Sequence, residues 1–346
     1  MTKQIKVKDL LIGGGAPVSV QSMTTTKTTD AKATLAQIER LAEAGCDLVR
    51  VALNTPLALD SFQEICAKSP LPVVADIHYD PRLALAAIDR GADKIRLNPG
   101  NVKDSLKEEI ALSAKAKGVP IRIGVNLGSL DPQLESQYGR TSTAMVYSAL
   151  QEVKTFDRYG FGDLCISVKA SDPKICYDAY KTLHSACAFP LHLGVTEAGA
   201  GEDCLAKSYS VLGGLLLEGI GDTIRISMTD DPIKEVEAGL NLLRSLGLRR
   251  DYVNVVACPM CGRTEYDIRP IYIALKEAVK EIRHPLNVAV MGCPLNGIGE
   301  GKDADFGVAL GAKGGILFAH GKQLGEVAHQ DVLSSLMALI EEAIHG

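Results

Sequence analysis

Between residues 17 and 227 the chain repeats one rhythm eight times: a short run of strand-like alternation, then a stretch of helical spacing. The runs are 17–21 (PVSVQ), 47–51 (DLVRV), 72–76 (PVVAD), 94–98 (KIRLN), 121–125 (IRIGV), 164–168 (LCISV), 191–195 (LHLGV) and 223–227 (TIRIS). Thr29-Asp30 stands where an N-cap belongs before AKATLAQIERLAEAG, and Gly45 where a helix C-cap falls. Asp80-Pro81 precedes RLALAAIDRG in the same way, and GCDLVRV and GADKIRL echo one another with Asp47 and Asp93 in equivalent places. Eight strands alternating with helices is the pattern of a (β/α)8 barrel. An open doubly wound sheet alternates similarly, but it carries a glycine-rich nucleotide turn after its first strand, where this chain has TTTKTTD. GGGAP at 13–17 comes too early to be that turn. The expected fold class is therefore α/β, a TIM-like barrel over residues 1–250.

After about residue 250 the rhythm changes. VNVVACPMCGR and LNVAVMGC read as strands entering cysteine loops, IRPIYIALKEAVKEI as a helix, FGVAL and GILFAHG as a hairpin, and DVLSSLMALIEEAI as a closing helix. This is too much for a barrel appendage, so a second, small α+β domain is expected over 251–346.

A net charge of −5 gives no basic field for a nucleic-acid backbone or an anionic membrane. No apolar run reaches the roughly 20 residues that span a bilayer, and the N-terminus lacks the apolar centre of a signal peptide. A soluble, cytoplasmic protein is expected. Nine cysteines, an odd number in a large chain, argue against a disulfide framework. The first six read as small buried hydrophobes, Cys165 in LCISV among them.

Barrel chemistry sits at the C-terminal ends of the strands. Those ends carry Arg50, Asp76 with His78, Arg96 with Asn98, Arg122 with Asn126, Lys169, Glu197, and Arg225 with Ser227. A single arginine there would snorkel between strand and helix or pair with a carboxylate. Four arginines and Lys169 at one rim, with only Asp76 and Glu197 to neutralise them, point instead to an anionic ligand such as a phosphate or diphosphate. Glu197 reads either as a proton relay or as a structural ion pair. Asp76 and His78 are too few to indicate a metal.

The last three cysteines form a different group. Cys258-Pro-Met-Cys261-Gly and Cys293 each follow an apolar strand and enter a Pro/Gly loop, and Glu300 lies seven residues beyond Cys293. Three thiolates in one place require a metal. Zinc with a fourth ligand and a [4Fe-4S] cluster with a displaceable carboxylate both fit, and spacing does not separate them.

The blocks VQSMTTTKTTD, VADIHYD, IRLNPGN, IRIGVNLGSL, SVKASDP, PLHLGVTEAG, EGIGDTIRIS, CPMCGR and MGCPLNGIGE occur in an order and spacing that resembles the (E)-4-hydroxy-3-methylbut-2-enyl diphosphate synthases of the deoxyxylulose-phosphate (MEP) route to isoprenoids. The resemblance covers nearly the whole chain. It implies a barrel joined to a small domain holding one [4Fe-4S] cluster, with Cys258, Cys261, Cys293 and a displaceable Glu300 as ligands. It implies that Arg50, Arg96 and Arg122 hold the diphosphate, with Lys169 and Asn126 in the same pocket and His192, Arg225 and Ser227 in matching blocks. Glu197 matches the glutamate assigned to proton transfer, and Asn296 a substrate-contacting asparagine. Reductive ring opening of 2-C-methyl-D-erythritol 2,4-cyclodiphosphate, electrons from flavodoxin or ferredoxin, and a homodimer in which one copy's cluster domain caps the other's barrel are also implied. The rival readings are a dihydropteroate-synthase-like transferase with a structural zinc domain, and a non-catalytic iron–sulfur carrier.

The chain departs from the family at Pro294 and Ile298, where members usually carry Val and Pro. Proline brings no N–H beside a cluster sulfur, and hydrogen bonds to sulfur stabilise the reduced form, so a lowered cluster potential is expected. A redox titration should find a higher potential in Pro294→Val; an unchanged or lower one would contradict this.

Overall fold

Period-two alternation sorts each barrel strand onto two faces, and here the faces differ in chemistry as well as direction. The computed structural model describes residues 1–345 except 78, 79, 99–101, 131, 295, 296, 298 and 300, so His78, Asn296 and Glu300 lie outside the described residues. All eight expected runs form strands: β1 (Ser19–Met23), β2 (Leu48–Ala52), β3 (Val73–Ile77), β4 (Lys94–Leu97), β5 (Ile121–Asn126), β6 (Leu164–Lys169), β7 (His192–Leu193) and β8 (Thr223–Ile224). They pair in parallel in the order β6-β5-β4-β3-β2-β1-β8-β7. A bridge between Ile166 and Leu191, with the Ile166 N–H donating to the Pro190 carbonyl at 2.8 Å, closes the ring. The result is the expected (β/α)8 barrel.

The last two barrel strands are two residues long, shorter than the sequence pattern indicates. Regular pairing gives way where Gly194 passes the Lys169 side chain. A Cβ at Gly194 would collide with Lys169 Nζ and lie 2.9 Å from the Arg225 carbonyl oxygen.

The outward face is aliphatic. Val49, Val51, Ile95, Ile121, Ile123 and Val168 join the surrounding helices in one buried core. The helix Ala31–Glu43 begins on Asp30, whose carboxylate accepts the Ala33 N–H at 3.0 Å, and ends at Gly45 with φ +93°. The repeated aspartates explain the echo in the sequence. Asp47 accepts the Val20 N–H at 2.7 Å, Asp93 that of Val73 at 2.8 Å and Asp222 that of Leu191 at 2.8 Å. Each aspartate returns its own N–H to the same neighbouring run, so carboxylate and backbone together lock strand register.

A hairpin, Ile5–Val7 paired with Leu10–Ile12, covers the N-terminal end of the barrel. Ile5, Val7 and Ile12 bury themselves against Leu48, Val74 and Cys165, at the starts of β2, β3 and β6. Cys165 is thus strand interior, as its apolar run predicts.

The chain divides into two compact units, Met1–Leu248 and Arg249–Gly346. The second is a five-stranded sheet, β9 (Val253–Ala257), β10 (Leu286–Met291), β11 (Phe306–Gly311), β12 (Gly314–Ala319) and β13 (Lys322–Val327), in sequential order. The first three strands are parallel and the last two antiparallel. The expected hairpin is β11–β12. The strand β13 was absent from the sequence reading because KQLGEV is mostly exposed and lacks an apolar face. Leu275 of the helix Arg269–Ala278 and Leu336 and Ile340 of Val332–His345 pack on Val288, Val290 and Val308. No described helix is long and apolar enough to cross a membrane.

The hairpin gives a paired test. Ile12→Ala, at a position with no exposed surface, should cost about 2–4 kcal/mol in urea unfolding. Leu11→Ala, on the 42% exposed neighbour, should change stability by less than about 0.5 kcal/mol.

Candidate active site

Inward positions of such barrels ordinarily hold valine, isoleucine or leucine. In this barrel they hold charge. Arg50 alternates with Val49 and Val51, Arg96 with Ile95 and Leu97, and Arg122 with Ile121 and Ile123, and the aliphatic neighbours are the ones in the helix-facing core. The arginines therefore point into the barrel, which overturns the snorkelling alternative. Gly124 leaves room for one of them: a Cβ there would sit 2.8 Å from Arg96 Nε.

Asp76, 2% exposed, stands between two of these cations, 3.6 Å from Arg50 and 3.3 Å from Arg96. Arg122 donates to Ser167 Oγ at 2.9 Å. Arg225 is held in a fork by Glu235, with Nε and Nη2 each 3.1 Å from a carboxylate oxygen. Glu235 also accepts from Ser22 Oγ and from the Met228 N–H, both at 3.0 Å. Sequence reasoning missed Glu235, since within the helix Pro232–Ser245 it reads as one more polar position. It named Glu197 as the second neutralising carboxylate. Glu197 instead is exposed, forms no ion pair among the described residues, and has φ +55°, a left-handed conformation that ordinarily favours glycine. Among the described residues the structural ion pair considered for it is not formed.

Asn126 and His192 stand beside the same set of cations, and Ser227 follows β8. Asn126 ends β5 level with Lys169 on β6. His192 is fully buried, its Nδ1 3.4 Å from Thr223 Oγ1 and its carbonyl accepting the Tyr180 hydroxyl at 2.7 Å. Ser227 is half-buried, and its carbonyl accepts the Cys204 thiol at 3.4 Å. Lys94, which the sequence reading passed over, is fully buried on the inward face of β4.

The electrostatics of the lumen all run one way. Burial, then Arg122, Arg50 and Arg225, push the Lys169 ammonium well below the usual lysine range. Burial and the neighbouring cations push Arg122 down to about 10 and His192 well below the ordinary imidazole range. Lys94 Nζ, Arg122 Nε and Nη2, and His192 Nε2 are buried with no hydrogen-bond partner among the described residues. A buried donor without an acceptor costs about 1–3 kcal/mol, and the Lys94 and Arg122 donors are groups that an acceptor-rich anion would satisfy.

In the second unit, Cys258 follows β9 and Cys293 follows β10. These neighbouring parallel strands pair Ala257 with Val290, so both loops leave the same end of the sheet. The Gly292 N–H donates to Cys258 Sγ at 3.2 Å, and the Glu265 N–H donates to the Gly292 carbonyl at 3.0 Å, tying the two loops together. The Cys261 N–H donates to Thr264 Oγ1 at 3.0 Å. Cys261 is exposed, Cys258 half-buried and Cys293 buried. Among the described residues no three His, Cys, Asp or Glu side chains are drawn in to hold a metal ion. The donor set still fits an iron–sulfur group: three free thiols at one sheet end, one of them already accepting an amide N–H.

Known proteins resemble this chain in both units. A family profile described as the GcpE TIM-barrel domain matches residues 2–240, and one described as the GcpE protein C-terminal domain matches residues 254–342. The 4-hydroxy-3-methylbut-2-en-1-yl diphosphate synthase (flavodoxin) of Cutibacterium acnes is 48% identical over 339 residues, spanning 97% of this chain and 89% of its own. Proteins of the same description from Frankia casuarinae and Nocardia farcinica are each 47% identical over 346 residues, spanning 99% of this chain and 89% of theirs. Among solved structures, dihydropteroate synthase from Stenotrophomonas maltophilia superposes with a TM-score of 0.52 at 14% identity, over 71% of this chain and 97% of its own. That likeness is one of fold alone.

The depressed Lys169 predicts a proton-linked affinity. A bound anion favours the charged ammonium and raises its pKa, so between the free and bound values binding takes up a proton, and affinity falls as pH rises through that window. Pyrophosphate titrated into the full chain at pH values stepped down from the ordinary lysine range, in buffers of different ionisation heat, should draw in more protons than with Lys169→Met. Equal uptake by both proteins would assign the effect to another group.

Proposed function

The chain belongs to the GcpE family, and from that membership we propose how its own residues carry out the family's reaction. It is an oxidoreductase of the MEP route to isoprenoids, taking 2-C-methyl-D-erythritol 2,4-cyclodiphosphate to (E)-4-hydroxy-3-methylbut-2-enyl diphosphate. The conversion consumes two electrons and two protons and releases one water.

The observation that supports a diphosphate site in the barrel is the inward set of cations that outnumbers the carboxylates paired with it among the described residues. Arg50, Arg96, Arg122 and Lys169 would take the phosphoryl oxygens, with Asn126, His192, Arg225 and Ser227 around them. Fixing the diphosphate in this way spends binding energy on placing the reacting carbon. Asp76 keeps Arg50 and Arg96 apart and aimed while remaining shared between them. Glu197 would deliver the proton to the oxygen that leaves as water. Its left-handed backbone fixes the direction in which the side chain departs from the β7 loop.

Cys258, Cys261 and Cys293 would hold a [4Fe-4S] cluster, with Glu300 as the displaceable fourth ligand and Asn296 beside it. When bound, the cluster supplies the electrons and Lewis-acid iron for C–O cleavage. The Gly292 N–H on Cys258 is the kind of amide donor that tunes such a sulfur. Flavodoxin as electron donor is carried by the relatives' name, and a homodimer by the family resemblance.

The test is an anaerobic preparation analysed for iron, acid-labile sulfide and zinc, followed by turnover of the cyclic diphosphate with reduced flavodoxin. About four iron and four sulfide per chain are expected. Arg122→Met should lower kcat/KM about 10- to 100-fold, the loss of charge-assisted bonds to phosphate. One zinc without sulfide, or an Arg122→Met enzyme of full efficiency, would overturn the reading.

A further inference from the structure

Two of the inward arginines are held by a sulfur atom. Met23, the last residue of β1, is registered beside Arg50 of β2. Its thioether accepts from Arg50 Nε at 3.1 Å and from Arg50 Nη2 at 2.9 Å. Arg225 Nη1 reaches the same sulfur at 3.7 Å, while its Nε and Nη2 are fixed by Glu235. A single uncharged atom therefore lies between two guanidinium groups that repel one another in a poorly solvated space.

The identity of that atom matters. Leucine would fill nearly the same volume but accept nothing. A carboxylate would accept strongly, cancel the positive charge and compete with any incoming anion. A thioether is a weak, neutral acceptor. It orients Arg50 Nε and Nη2 and Arg225 Nη1 without adding a further negative charge to those of Asp76 and Glu235, and gives them up readily to a better acceptor.

We propose that Met23 is a positioning residue for anion recognition: its sulfur holds Arg50 and Arg225 in place until the phosphoryl oxygens of a diphosphate ligand take over their N–H groups. The inference rests on the reading of the barrel as a diphosphate site and adds to it a residue whose sulfur meets the N–H groups of Arg50 and Arg225.

Inorganic pyrophosphate, titrated calorimetrically into the full chain, tests this with Met23→Leu, Met23→Gln and Met23→Glu. Leucine should weaken binding about 3- to 10-fold, the worth of the lost neutral hydrogen bonds. Glutamine, similar in shape and a neutral acceptor, should recover affinity to within about twofold of wild type. Glutamate should bind more weakly than leucine. In turnover, Met23→Leu should raise KM for the cyclic diphosphate by the same factor and leave kcat unchanged. Wild-type affinity in Met23→Leu would overturn the proposal, as would equal losses in the leucine and glutamine variants, which would reduce Met23 to packing. Should Met23→Leu fail to fold, glutamate binding as tightly as glutamine would overturn it instead. Arg50→Met separates the two readings. Undiminished pyrophosphate affinity there would sink the diphosphate site itself, whereas a loss there beside an unaffected Met23→Leu would sink only the role of Met23.

Discussion

Positive charge inside a barrel has to be balanced from within, because the solvent that would screen it is largely excluded. In this chain Arg50, Lys94, Arg96, Arg122 and Lys169 occupy positions that a barrel of this type usually fills with branched aliphatics. The balance is partial. Asp76 serves two arginines, Glu235 serves Arg225 from outside the sheet, and Ser167 offers Arg122 a single hydroxyl. What remains is a lumen that disfavours its own protonated Lys169 and His192.

The rest of the first unit keeps that strained lumen from relaxing. Aspartates at the starts of the runs that carry Arg50, Arg96 and Arg225 bind the neighbouring backbone and oppose the register slip that would turn those arginines outward. The hairpin of Ile5, Val7 and Ile12 supplies at one end the apolar packing that the charged layers cannot. Glycines stand where a side chain would displace a cation, as Gly124 does for Arg96 and Gly194 for Lys169. These devices place stability at the periphery and leave the interior for chemistry.

The second unit solves a different problem with a simpler part. Two parallel strands end level with one another, so loops carrying thiols emerge together, and the Gly292 amide already addresses one sulfur. The arrangement separates hard and soft chemistry. Guanidinium and ammonium groups in the barrel suit phosphate oxygen, and cysteine sulfurs at the sheet end suit a soft metal.

Much of this was legible in the residue order. Eight alternating runs specify the barrel because side-chain period and element length are local properties, and three cysteines in Pro/Gly loops announce a metal-binding chemistry wherever they fold. Periodicity also says that Arg50, Arg96 and Arg122 face away from their aliphatic neighbours. It does not say which face is the lumen, since that depends on the helices that cover the other side. Nor can it pair Ser22 with Glu235, 213 positions apart, or bring Arg225 onto the sulfur of Met23 across 202 positions. Those contacts arise only when β8 closes beside β1, and closure is a property of the whole ring. The sequence by itself therefore determined the fold class, the charged strand ends and the cysteine loops. Tertiary structure alone decided where the charges point and which buried groups hold them, because direction and pairing inside a closed barrel are set by contacts between strands far apart in the chain.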